Sequence, residues 1–187
     1  MSISEHIGNM SIYKPLTKPQ AYNHLKIINR KLSIFLSKQQ DYISATEFQI
    51  LWESLHKNSD NMARFQMSLK AHKISWKIHP IVCCADTMLN DLSRWLDYWL
   101  QKLKPFLPTY VLDSTQLLDQ LEALVTLPSG AKVSTADANS MYTNINTNHT
   151  IDMIDRWLDS LEGRLPPNFP LAAIKRGNDL GYEKQLV

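Results

Sequence analysis

"RFQMSLKAHKISWKIHPIVCC", residues 64–84, is the stretch that decides the fold class. Two short apolar runs flank a basic centre, a pattern that predicts two paired strands or a β-hairpin. Pro80 has no N–H to give to a ladder, so it belongs on an edge strand or at a strand start. Everything upstream reads as helix. The chain is therefore expected to be α+β and helix-rich, with a small, incomplete antiparallel sheet and an N-terminal helical region.

Upstream, "TKPQ" (17–20) offers Thr17 as a cap with Gln20 three residues on, and Leu25, Ile28, Leu32 and Phe35 follow as one apolar stripe. "SATE" (44–47) repeats the device, with Phe48, Leu51, Trp52 and Leu55 as the face to be buried. A polar break at "HKNSDN" (56–61) closes this part, giving expected domains of 1–62 and 63–187. Downstream, residues 87–104 predict a helix with Leu89, Leu92, Leu96, Trp99 and Leu103 on its stripe, capped by Asp86 or Thr87 and stopped by Pro105. A further helix is expected from about Asp113, with Gln116 completing a capping box and Leu117, Leu118, Leu121 and Leu124 on one face. "LPSG" (127–130) reads as a turn, followed by a strand at 132–136 and a helix from about Asn148 to near Gly163. The aperiodic tail "GNDLGYEKQLV" (177–187) is expected to fray.

Composition bounds the function classes. A hydrophobic content of 44% and a charged content of 20% describe a globular chain with one sizeable core. The longest apolar run, "IVCCA" (81–85), is far too short to span a membrane, and "MSISEHIGNM" (1–10) has no signal-peptide character, so an intracellular protein without a membrane partner is expected. Adjacent Cys83 and Cys84 suit neither a disulfide with each other nor a zinc site, and are read as small buried strand residues. Charge is uneven: residues 1–110 hold 14 Lys or Arg against 8 Asp or Glu, a balance of +6, whereas residues 111–187 hold 6 against 10, a balance of −4. Either solvated helix faces or a basic front meeting phosphates would produce that asymmetry.

Within "KVSTADANSMYTNINTNHTIDMIDRWL" (132–158), Asp137 stands where the expected strand ends. A carboxylate there can hold Mg²⁺, the ion of two-metal phosphoryl and nucleotidyl transfer, or can simply cap the next turn. Tyr142 is equally open between pocket wall and core, and Lys70, His72, Lys73, Lys77 and His79 between phosphate binding and solvation.

The order of these segments resembles the front half of a retroelement reverse transcriptase of the Penelope-like type. "LKAHKISWKIHPIV" (69–82), then "LSRWLDYWLQKLKPFLPTYVLDST" (92–115), then "ADANSMYTNI" (136–145) are similar to that family's K-x-H-K…R-P-I-V and D-x-x-S-[LM]-Y-T-N-I segments, and "HIGNMSIYKPLT" (6–17) resembles a lead-in that some members carry. The resemblance covers most of residues 6–175 and is most specific at 137–145. It implies fingers and the first part of a palm, RNA-directed DNA synthesis with Mg²⁺, and an RNA template and DNA primer as partners. It implies that Asp137 is the first catalytic, metal-binding carboxylate and that the Ala138 carbonyl lies beside the metal. Tyr142 would sit under the incoming sugar and exclude a 2′-hydroxyl, while Lys70 or Lys73 reaches the triphosphate.

Two departures qualify that implication. The arginine expected before "PIV" is His79, which is neutral much of the time at pH 7; Lys77 compensates in part if both lie on one face of the hairpin. The sequence also has no Asp-Asp dipeptide, so the second carboxylate pair of the family (Y-x-D-D) is missing, and Asp152, Asp155 and Asp159 read as a solvated helix face instead. The resulting expectation is a truncated reverse-transcriptase-like protein, inactive as an isolated chain. A non-catalytic nucleic-acid-binding module that keeps the basic fingers is the alternative, supported by the basic front and by Trp76, Trp95, Tyr98 and Trp99. Of these, Trp95 and Trp99 are expected in the core. A third reading, a helical interaction protein, would be favoured by a fold lacking a sheet around 132–137.

Overall fold

A computed structural model describes residues 15–70, 77–124, 126, 129–132, 134–138, 141 and 145–177, with 69, 70, 77–80 and 177 described by their backbone. The elements are α1 (Lys18–Gln39), α2 (Ala45–Lys57), β1 (Arg64–Lys70), β2 (Lys77–Cys83), α3 (Asn90–Gln101), a 3-10 turn (Lys104–Phe106), α4 (Ser114–Glu122), α5 (Thr147–Ser160) and α6 (Leu171–Gly177). The chain divides into two compact units, Met1–Tyr98 with Pro167–Val187, and Trp99–Pro166. No helix among the described residues is long and apolar enough to cross a membrane.

The first unit is built on two capping boxes. Gln20 N–H donates to Thr17 Oγ1 at 3.4 Å while Thr17 N–H donates to Gln20 Oε1 at 2.9 Å. Glu47 N–H and Ser44 Oγ, with Ser44 N–H and Glu47 Oε2, do the same for α2 at 3.2 and 3.1 Å. Each box satisfies donors that the first helical turn leaves without an intrahelical acceptor. With the starts set, the 3.6-residue period turns Leu32, Phe35 and Leu36 of α1 and Leu51 and Leu55 of α2 into one buried cluster with Met88. Leu25, Ile28, Phe48, Trp52, Leu89, Leu92 and Trp95 pack around it, half-buried. Trp95 Nε1 donates to Glu47 Oε1 at 2.8 Å, so the carboxylate that caps α2 also holds α3 against it. Ser54 Oγ of α2 also donates to Asp91 Oδ2 of α3.

α3 begins later than its sequence suggests. Asp86 sits at φ 60° and bends the chain out of β2, and Thr87 is buried with its Oγ1 donating to the Cys84 carbonyl at 2.8 Å rather than capping a helix. A short polar side chain tolerates that left-handed backbone better than most residues do. Pro105 does not terminate α3 directly either; it lies inside the 3-10 turn that follows. Trp99 and Leu103 are buried in the second unit, as are Leu158 of α5 and Leu161 just past it. α5 is capped by Asn146, whose Oδ1 accepts from His149 N–H at 3.1 Å, and Gly163 follows at φ 81°, where a side chain would be strained.

α4 forms where expected, with Asp113 Oδ1 accepting from Gln116 N–H at 2.9 Å. The return bond is shifted by one residue: Gln116 Oε1 accepts from Leu112 N–H at 2.6 Å. The helix buries nothing, and Leu117, Leu118, Leu121 and Leu124 are all exposed.

Candidate nucleic-acid-binding ribbon and the Asp137 segment

β1 and β2 pair antiparallel along their whole length, from Arg64 opposite Cys83 to Lys70 opposite Lys77. The paired strands read from the sequence are therefore present, and among the described residues the sheet has two strands, which places Pro80 on an edge strand. Directly opposed residues of an antiparallel pair share a face, and the face alternates along each strand. Positions 64, 66, 68 and 70 thus share one side with 77, 79, 81 and 83: Arg, Gln, Ser and Lys beside Lys, His, Ile and Cys. The opposite side is entirely apolar, with positions 65, 67 and 69 beside 78, 80 and 82: Phe, Met and Leu beside Ile, Pro and Val.

Three expected nucleotide-binding residues fall on the first side. Lys70 and Lys77 are a directly opposed pair at one end of the ribbon, and His79, two residues beyond Lys77, shares its side opposite Ser68. Arg64 joins the same side at the other end and is exposed. The sequence reading passed over it; the two-residue period, applied backwards from Lys70, would have found it. Lys73 lies outside the described residues, as do His72 and Trp76.

The ends of the ribbon are tied together at its base. Asn61, just before β1, donates from Nδ2 to the Asp86 carbonyl, just after β2, at 2.7 Å. The cysteines do not fill the buried role expected of them. Cys83 is half-buried, Cys84 is exposed, and both thiols are free, because the end of this two-stranded ribbon has no second layer over it among the described residues.

The Asp137 segment differs from its expected form. The described residues of 132–136 are not a strand; Lys132, Ser134, Thr135 and Ala136 are irregular and exposed, as are Asp137 and Ala138. A lone extended segment has no hydrogen-bonding partners of its own, and no described strand lies alongside this one. Asp137 is thus not held at a sheet edge, and Tyr142 lies outside the described residues. Asp152 and Asp159 are exposed on α5 and Asp155 is half-buried. Among the described residues no three His, Cys, Asp or Glu side chains come together as a metal-binding group. Asp137 supplies one carboxylate; a single Mg²⁺ takes one or two together with waters and substrate phosphates, whereas a two-metal site needs further carboxylates.

The aromatic residues divide as expected where they are described. Trp99 is buried with Lys102 Nζ 4.1 Å from its ring centroid, Trp95 is half-buried in the core, and Tyr98 is 56% exposed. Comparison with protein-family models, with curated proteins and with solved structures finds no match.

Proposed function

We propose that this chain is a reverse-transcriptase-related protein of retroelement origin that binds an RNA template and DNA primer through the basic side of the β1–β2 ribbon. The family's activity is RNA-directed DNA synthesis. Catalysis by these 187 residues alone is not part of the reading, because they carry one carboxylate of the set and no Asp-Asp pair. The observation that supports it is the register: Lys70 opposite Lys77, with His79 and Arg64 on their side, in a ribbon that precedes α3 and the D-A-N-S-M-Y-T-N-I segment in the order of the resemblance. Cations spaced along a narrow ribbon suit a phosphate backbone, whose contacts carry affinity without sequence preference.

Fluorescence anisotropy with a labelled RNA–DNA template–primer tests this. Binding is expected to weaken steeply with salt, and Lys70→Ala with Lys77→Ala should lower the logarithmic salt slope by about 2, roughly one for each phosphate no longer neutralised. Binding indifferent to salt and to both lysines overturns the proposal. Primer extension with Mg²⁺ should give no product, and synthesis that depends on Asp137 would overturn the non-catalytic part.

A second reading, a helical interaction protein, is favoured by two observations: the described residues of 132–137 form no strand, and α4 leaves its leucines exposed. It expects no salt-dependent RNA–DNA binding, so the same titration separates the two.

A further inference from the structure

The positive balance of the front of the chain has one source. Residues 6–40 hold 6 Lys or Arg and no Asp or Glu, whereas residues 41–110, which contain the ribbon, hold 8 against 7. The excess therefore belongs to α1 and the segment leading into it. Within α1, Lys18, Lys26, Arg30 and Lys38 are exposed, and among the described residues none of them pairs with a carboxylate. Lys18, Tyr22, Lys26 and Arg30 follow one another in steps of four, so they form a row along the helix, about 6 Å from one to the next. All four are exposed, and Tyr22, at 47%, sets an aromatic ring among the cations. Lys26 and Arg30 are a like-charge pair one turn apart, which weakens the free helix slightly and is relieved by a bound anion.

We propose that this row of α1 binds a single strand of nucleic acid, with Lys18, Lys26 and Arg30 on phosphates and Tyr22 stacked on a base. Charge complementarity calls for a polyanion, and the make-up of the row selects this one. A strand of phosphates matches cations spaced along a line. An aromatic ring among them is a platform for any unpaired base, whereas a duplex keeps its base faces stacked on one another. An anionic membrane fits less well. A helix lying in that surface inserts its apolar face, and the apolar face of α1, with Leu32, Phe35 and Leu36, is already in the core. An acidic peptide would satisfy the cations and leave Tyr22 without a part. The inference rests on the reading above for the identity of the strand, the unpaired part of the RNA template, and adds to the ribbon a second contact surface.

Fluorescence anisotropy of the full chain with a short labelled single-stranded RNA tests it. Lys18→Gln, Lys26→Gln and Arg30→Gln together should lower the logarithmic salt slope by about 2, at about 0.7 for each phosphate of a single strand. Glutamine is a good helix former, so far-UV circular dichroism should not change. Tyr22→Ala should weaken binding at least about fivefold and leave the slope as it was. No binding at low salt, a slope unmoved by the triple variant, or an affinity unmoved by Tyr22→Ala would overturn the proposal. Equal affinity for poly-glutamate, or a preference for vesicles of anionic phospholipid, would overturn it as well. Should the triple variant lose helix, Tyr22→Ala alone decides. The ribbon is read separately, by Lys70→Ala with Lys77→Ala on the template–primer. If that pair matters and the α1 variants do not, the α1 row falls and the ribbon stands; the reverse result upholds the row and removes the ribbon.

Discussion

α2 and α4 start by the same chemistry and end in opposite circumstances. Ser44 caps α2 and Asp113 caps α4, each side chain accepting a hydrogen bond from the residue three positions on. Both helices carry leucines at helical spacing. Yet Leu51 and Leu55 are 4% and 2% exposed, while Leu118 and Leu121 are 57% and 46% exposed. A cap sets where a helix begins and helps it persist; it says nothing about what the apolar face meets. α2 has α1, Met88 and Trp95 to pack against, and no described element buries the face of α4.

Substitutions can sharpen or break this contrast, and the largest effect belongs in the core. Leu55→Ala removes a side chain from the centre of the α1–α2 cluster and should cost about 3 kcal/mol, read as a lower urea midpoint. Ser44→Ala removes the α2 cap and loosens Glu47, which also receives the Trp95 indole; a loss of about 1 kcal/mol and a change in tryptophan emission are expected. Asp86→Ala puts a less tolerant residue at φ 60° and should cost up to about 1 kcal/mol, with Asp86→Gly costing less; thermal unfolding of the pair measures the difference. Leu118→Ala is expected to change stability by less than about 0.5 kcal/mol, because the side chain is already in water. If Leu118→Ala costs as much as Leu55→Ala, the face of α4 is covered in solution and the contrast fails.

The same division runs through the candidate site. The paired strands could be read from 64–84 because two apolar runs around a basic centre are a local signal, whereas their register is a property of the pairing itself. The capping boxes of α1 and α2 were legible for the same reason: their partners lie three residues apart. The strand expected at 132–136 was not of this kind. Val133, Ser134 and Thr135 have β-branched or polar character that fits a strand, but a strand exists only with a partner, and a window of five residues cannot report one. The burial expected of Cys83 and Cys84 failed for a related reason, since small apolar residues at a strand end are buried only when a second layer covers them.

By itself the sequence determined the helix-rich α+β class, the starts of α1, α2, α4 and α5 and the presence of two paired strands in 64–84, all interactions between near neighbours in the chain. Tertiary structure alone decided which apolar stripes are buried, that Trp95 is held by the carboxylate capping α2, that Thr87 lies inside rather than at a helix start, and that Asp137 stands in exposed irregular chain. The physical reason is range. Capping and alternation are closed within a few residues, whereas burial and strand pairing depend on surfaces brought together from distant parts of the chain, at an entropy cost that no local pattern encodes.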